Sequence, residues 1–213
     1  MKKILFLLAM LPVFVFSACS DDDEKLQDQS VVIKTGEIYT LDCPNVQLQN
    51  SNDFIFSLLD GNKIKGEHVG EFETMANSNG TSFKLSVTVE PLHTLYLDLK
   101  DFLGMSRENI EKVFGKPLST NQQGTSVYKG LGIEDKIQIA YDNNKAYLGV
   151  VTLKSSFASE LGKHLADRYV FFSEQGGQML YMDALKYEDA EYLAMVTVGL
   201  RTTSIMYIGK DDL

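Results

Sequence analysis

From Phe83 to Glu90 the chain alternates without a break: Phe83, Leu85, Val87 and Val89 are apolar, and Lys84, Ser86, Thr88 and Glu90 are polar. A period of two sends the two sets to opposite faces of a pleated strand, which predicts a half-buried strand. Asn79-Gly80 is a turn signal ahead of it, and Pro91 ends it. Upstream, "VVIKTGEIYTL" alternates loosely, with Gly36 at a turn-like position, and Asp60-Gly61 sits between apolar runs as in a hairpin. Gly66 and Gly70 add further punctuation. Short strands with turns about every 8–12 residues predict an all-β sandwich over residues 31–91.

The period then changes. Ser106 reads as a helix N-cap, Ile110, Val113 and Phe114 form an i, i+3, i+4 apolar face, and Gly115 and Pro117 end the helix. Three strands follow, "SVYKG", "KIQIAYD" and "AYLGVVTL", the last two joined by a turn at Asn143-Asn144. A second helix starts near Ser155 or Ser156, with Phe157, Leu161 and Leu165 at i, i+4 and i+8. Four more strands come after it: "RYVFF", "QMLYMDAL", "EYLAMVTVGL" and "TSIMYIG". Helix-then-strands thus occurs twice, an α-β-β-β pseudo-repeat of pattern without residue identity. The expected architecture for residues 94–213 is an α+β two-layer sandwich, one antiparallel sheet with two helices on one face. "LHTLYLDLKDFLG" bridges this second domain to the first.

The first residues read as an address. Lys2 and Lys3 precede an apolar run from Ile4 to Phe16, too short to span about 30 Å of hydrocarbon. Phe16-Ser17-Ala18-Cys19 resembles the lipobox of bacterial lipoproteins. The resemblance implies that residues 1–18 are a signal peptide and that Cys19 is lipidated and becomes the first residue. Two or more acyl chains make such an anchor stable. Loss of Lys2 and Lys3 would take the formal net charge from -9 to -11.

Residues 19–30 read as an acidic, flexible tether, kept extended by like charges. Asp21-Asp22-Asp23-Glu24 lacks the alternating ligands and glycine of a calcium loop. "CSDDDE" resembles the acidic export signal of surface-exposed lipoproteins in some Gram-negative bacteria. That resemblance implies that Ser20, Asp21, Asp22, Asp23 and Glu24 direct the protein to the outer face of the outer membrane. One segment can serve as both signal and tether.

Within residues 31–91, Gly36-Glu37, Tyr39, Leu41, Ser51-Asn52-Asp53, Ile55, Gly61, Ile64, Gly66, Gly70-Glu71 and Val87-Thr88-Val89 resemble the bacterial immunoglobulin-like group 2 family. Leu48 stands near the place of a common core Trp, and Phe72-Glu73-Thr74 replaces a small-Thr-Ile strand. The resemblance implies a small immunoglobulin-like sandwich acting as a spacer or adhesive surface, without fixed catalytic residues. "GMSRENIEKVFGKP", leading into strands, resembles small outer-membrane assembly lipoproteins in which such a helix precedes a sheet, over those residues alone.

Composition narrows the chemistry. A net charge of -9 with no basic cluster excludes nucleic acid as the expected partner. His68, His93 and His164 are scattered and lack metal-ligand spacing, so no metal is expected. His164 and Arg168, one helical turn apart, read as a solvated polar face. Cys43 reads as a small buried hydrophobe. No nucleophile elbow, P-loop or dinucleotide fingerprint occurs, so no catalytic residue and no cofactor is expected.

Met179, Met182, Met195 and Met206 crowd the last strands beside Tyr181, Tyr192 and Tyr207. They read either as core filling or as an adaptable binding surface. On the second reading Tyr181, Met182, Tyr192 and Tyr207 are the candidates, provided the outer sheet face is open. The expectation is a non-enzymatic, lipid-anchored protein of the outer-membrane surface, with an immunoglobulin-like spacer presenting an α+β domain to an extracellular protein or glycan. The alternative is a periplasm-facing lipoprotein that assists envelope assembly or inhibits a protein.

Overall fold

A computed structural model describes residues 26–212, and in them the chain is mostly β, arranged in three open sheets. The first seven strands are β1 (Gln29–Lys34), β2 (Ile38–Thr40), β3 (Val46–Leu48), β4 (Phe56–Leu59), β5 (Lys63–Gly66), β6 (Gly70–Ser78) and β7 (Thr81–Glu90). They form one sheet in the order β1-β7-β6-β3 and another in the order β2-β5-β4. The hairpin β4–β5 closes through Asp60, Gly61 and Asn62 and the hairpin β6–β7 through Asn79-Gly80, and Asp60, Gly61, Asn79 and Gly80 have positive φ. Positive φ at both turn positions matches the twist of the flanking strands, and it selects Asn, Asp and Gly. Phe83, Leu85, Val87 and Val89 are buried, and they share one cluster with Val31, Ile33, Cys43, Phe56 and Ile64. The cluster draws on both sheets. At Gly66 the backbone passes so close to β1 that an added Cβ would lie 2.7 Å from the Lys34 carbonyl oxygen.

The rest of the chain supplies α1 (Arg107–Phe114), β8 (Ser119–Thr120), β9 (Ser126–Tyr128), β10 (Lys136–Asp142), β11 (Lys145–Lys154), α2 (Ala158–Ala166), β12 (Val170–Gln175), β13 (Gln178–Met182), β14 (Tyr192–Val198) and β15 (Thr202–Gly209). Its strands make one antiparallel sheet in the order β12-β13-β14-β15-β11-β10-β9-β8. The register lines up Ile139, Gly149, Tyr207, Ala194 and Tyr181 across five strands, with Ile137, Val151, Ile205, Val196 and Met179 in the next row. Ile110 and Phe114 of α1 and Leu161 and Leu165 of α2 pack in the same cluster as these residues. A short 3-10 turn, Leu99–Phe102, packs there too, and Gly149 leaves room for Leu99: a Cβ at Gly149 would lie 3.0 Å from that side chain.

Ser106 caps α1 through the Asn109 N–H, and Gly115 ends it at φ 79°. Val113, expected on the apolar face, is exposed. Eight residues form barely two turns, and Ile110 and Phe114 alone cover the contact. On the opposite sheet face, Met182, Leu193 and Ile208 are covered by Ala184 and Ala190 of the segment 183–191. The next row, Leu180, Met195, Met206 and Val150, is half-exposed. The cluster of residues 31–89 and the clusters of residues 96–208 share no residue.

Candidate functional site

The C-terminal end of α2 joins the two cores. Asp167 accepts a hydrogen bond from the His93 N–H at Oδ2, while its backbone carbonyl accepts one from Val69 N–H at 2.8 Å. Its carboxylate also lies 3.3 Å from His93 Nδ1. Arg168 donates to the carbonyls of His93 (2.9 Å) and His164 (3.0 Å) and to Thr94 Oγ1 (3.3 Å). Two consecutive residues thus hold the β5–β6 loop, the inter-core segment and their own helix together. The expected solvated polar face does not exist: His164 and Arg168 are buried. The reason is geometric. Leu161, His164, Leu165 and Arg168 fall at i, i+3, i+4 and i+7, so the two polar residues share the stripe that faces the sheet.

Beneath the clamp runs a buried polar network. Asp98 Oδ2 accepts from the Tyr169 hydroxyl at 2.6 Å and lies 3.8 Å from Arg168 Nε, and the Tyr96 and Tyr207 hydroxyls are bonded to each other. Burial raises the Asp98 carboxyl above the usual carboxylate range, although the Tyr169 hydroxyl and the Lys100 amide both stabilise its anion. Burial also raises the hydroxyls of Tyr96, Tyr169 and Tyr207, so all three keep their protons at neutral pH. His164 is pushed down to about 3, first by burial and then by the Arg168 charge. It is therefore neutral, and its Nδ1 accepts the Leu95 N–H at 3.2 Å. Its Nε2 is buried without a protein partner among the described residues.

Beside the clamp lies a cleft of about 700 Å³. One wall comes from the β3–β4 loop, with Asn52, Phe54 and Ile55, and from Phe72 of β6; the other comes from Lys100 and the segment 183–191. The Phe54 ring stacks on His68, centroids 4.5 Å apart and planes 3° apart, and His68 Nδ1 lies 2.8 Å from the Phe54 carbonyl oxygen. Lys100 Nζ is 3.9 Å from Asp183 and 5.6 Å from the centre of the Tyr169 ring, which links the cleft floor to the network. Asp183 is fixed in turn, because its Oδ1 accepts the N–H groups of Glu191 and Tyr192, each at 3.0 Å. Asp53, Asp189 and Glu191 face Lys186 around the rim, so the mouth is acidic once the Lys100–Asp183 pair is set aside. Chemically, this is a shaped wall with fixed acceptors and two aromatic rings, those of Phe54 and Phe72.

The four residues expected at a binding surface do not form one. Tyr207 is fully buried on the helix side of the sheet, and Met182 is buried on the other side. Tyr181 packs against the helix-side core, and half-buried Tyr192 lies at the sheet end beside Gly209. A strand residue faces one side only, and these four alternate or fall under covering segments. The half-exposed methionines are Met195 and Met206, paired across β14 and β15, whereas Met179 packs on the helix side.

Cys43 is buried and free, as its reading required. Two of the three scattered histidines, His93 and His164, are brought to the clamp. Among the described residues no group of three or more His, Cys, Asp or Glu is placed to hold a metal, and no helix is long and apolar enough to cross a membrane. Cys19 and the run Ser20 to Glu24 lie outside the described residues.

No family model matches the chain, and no curated protein does. Among solved structures, a cysteine-rich secretory protein from Staphylococcus aureus aligns at 13% identity and TM-score 0.32, over 53% of this chain and 46% of that one. An extracellular protein containing an SCP domain, from Bacillus anthracis, aligns at 11% identity and TM-score 0.30, over 59% of this chain and 51% of that one. The chain spans about half the length of each.

Proposed function

We propose that this chain is a non-enzymatic lipoprotein of the outer-membrane surface whose seam cleft binds an extracellular protein or glycan. In this reading Cys19 carries the lipid, Ser20 to Glu24 route the protein outward, and the tether expected over residues 19–30 ends where β1 begins, at Gln29. Residues 31–91 form an immunoglobulin-like group 2 module, and residues 94–213 an α+β two-layer sandwich. The first module is then half of the binding site as well as a spacer.

One observation carries the reading: a cleft of about 700 Å³ is bounded by side chains from both cores and braced by backbone bonds at Asp167 and Arg168. Concave sites with a few convergent polar groups are the usual form of ligand pockets, and fixing their shape before binding lowers the ordering cost. The test uses the mature chain with Cys19→Ser, applied to arrays of glycans and of peptides. Bound features are expected to vanish in Phe54→Arg, which fills the cleft, and to persist in Leu118→Arg, which alters a distant exposed site. Equal binding by both variants, or no bound feature with the unaltered chain, overturns the reading.

A further inference from the structure

The eight-stranded sheet has two ends, and they are guarded differently. At one end β8 is two residues long, Ser119–Thr120, and brevity alone limits pairing. At the other end β12 presents "VFFSEQ", six residues with no Pro and no Lys, the residues that commonly blunt an open edge. Its inner side pairs with β13 from Val170↔Met182 to Gln175↔Gln178. The closing pair of a two-residue hairpin exchanges both its hydrogen bonds, so alternation turns the Glu174 N–H and C=O outward. Among the described residues neither group has a partner.

Two aromatic side chains frame this edge. Phe171 is 53% exposed and Phe172 45% exposed. A register shift between Phe171 and Ser173 leaves Phe172 opposite no residue of β13. Neither ring is loose. Phe171 meets Tyr181 edge-on at 5.6 Å, and Phe172 stacks on Tyr187 at 5.3 Å. Lys210 Nζ sits over the Tyr187 ring at 5.6 Å and donates to the Glu188 carbonyl at 2.8 Å, which braces the second pair. Tyr181 belongs to the helix-side core and Tyr187 to the segment crossing toward the other face. An added strand would therefore find an aromatic contact on each side.

We infer that β12 is a strand-addition site, which takes a short extended segment of another polypeptide as a ninth strand. An outward row of backbone donors and acceptors is matched by another extended backbone, and the flanking rings select apolar side chains at alternate positions. The free stretch from Phe171 to Gln175 spans about 17 Å, enough for a partner segment of four to five residues. A second copy of this chain is the wrong occupant, because two chains of net charge -9 repel each other. Glu174, the one charged residue on the strand, instead favours a Lys or Arg facing it. The edge is separate from the seam cleft, whose lining includes none of Phe171, Phe172 and Glu174.

The test screens a displayed library of random heptapeptides against the mature chain carrying Cys19→Ser. Selected peptides are expected to alternate apolar residues and to carry a basic residue. Glu174→Pro removes an outward N–H together with the strand's one carboxylate and leaves the inner ladder intact, so it is expected to weaken them about tenfold or more with an unchanged Tm, whereas Glu174→Gln, which keeps the N–H, is expected to weaken only the basic peptides. Phe172→Ser is expected to weaken the same peptides while Phe54→Arg leaves them bound. Peptides that bind Glu174→Pro and Phe172→Ser as tightly as the unaltered chain overturn the inference. So does a library yielding no binder, or sedimentation showing that the chain dimerises and that Glu174→Pro abolishes the dimer.

Discussion

Replacing Arg168 with Met keeps the volume of the stem and removes everything the guanidinium does. Three hydrogen bonds disappear, to the His93 carbonyl (2.9 Å), the His164 carbonyl (3.0 Å) and Thr94 Oγ1 (3.3 Å), and Asp98 loses the cation 3.8 Å away. Hydrogen bonds to a charged group contribute about 1.5–3 kcal/mol each, but bonds sharing one donor group do not add. Removing one partner of a buried ion pair costs about 3–5 kcal/mol, which already includes the stranded charge, so we take that range for the whole substitution. For a protein of this size the Tm should fall by about 6–20 °C.

The deficit should also grow with pH. Asp98 already titrates above the usual carboxylate value because it is buried, and losing the cation 3.8 Å away should drive it higher still. A raised folded value means that the native state holds the proton more tightly than the unfolded chain does. The native state is therefore relatively favoured in acid and loses ground as pH rises through the folded value. The assay is urea and thermal unfolding of the mature chain, with hydrogen exchange followed separately on β7 and β15. In the unaltered protein both strands should exchange through one global opening; in Arg168→Met they should separate. A Tm loss below about 2 °C, the size of an exposed ion pair, would refute the clamp, as would two cores that still open together.

Other outcomes follow from the same geometry. His164→Asn keeps an acceptor for the Leu95 N–H and removes titration. Because the folded histidine titrates near 3 against an ordinary 6.5, the unaltered protein should lose stability relative to this variant as pH falls through that window, measurable by urea melts at several pH values. Gly66→Ala forces a Cβ to 2.7 Å from the Lys34 carbonyl oxygen; it should cost about 1–3 kcal/mol in the same melts, and a neutral result would mean that β1 shifts freely. Leu161→Ala should cost about 2–5 kcal/mol by leaving a cavity under α2. Replacing Asp21 to Glu24 with Ala should reduce protease shaving of the protein on intact cells; unchanged shaving would reduce the acidic run to a tether.

Much of the fold was legible because local chemistry and tertiary structure agree. The strict alternation from Phe83 to Val89, the Asn-Gly and Asp-Gly turns, and the Ser106 and Gly115 boundaries all carry their reasons within a few residues. The site was less so. The stripe Leu161, His164, Leu165, Arg168 was present in the sequence at core spacing. Its polar members pointed to solvent because nothing local announces that Asp98 and the 93–95 backbone will arrive to meet them. These partners are some 70 residues away in sequence for Arg168 and Asp98. The Tyr and Met cluster failed for a related reason: alternation tells that neighbours face opposite sides, but not which side helices and the segment 183–191 will cover. The cleft itself has no local signature, since Phe54 and Lys100 meet only through the packing of two cores.

The most direct test of the seam cleft as the binding site places a photo-crosslinking benzoylphenylalanine in the lipidated protein on intact cells. Installed at Phe54 or Leu185, both on the cleft wall, it should give the same discrete adduct, while at Leu118, exposed and remote, it should give none. Equal adducts at all three positions, or an adduct at Leu118 alone, would contradict the account.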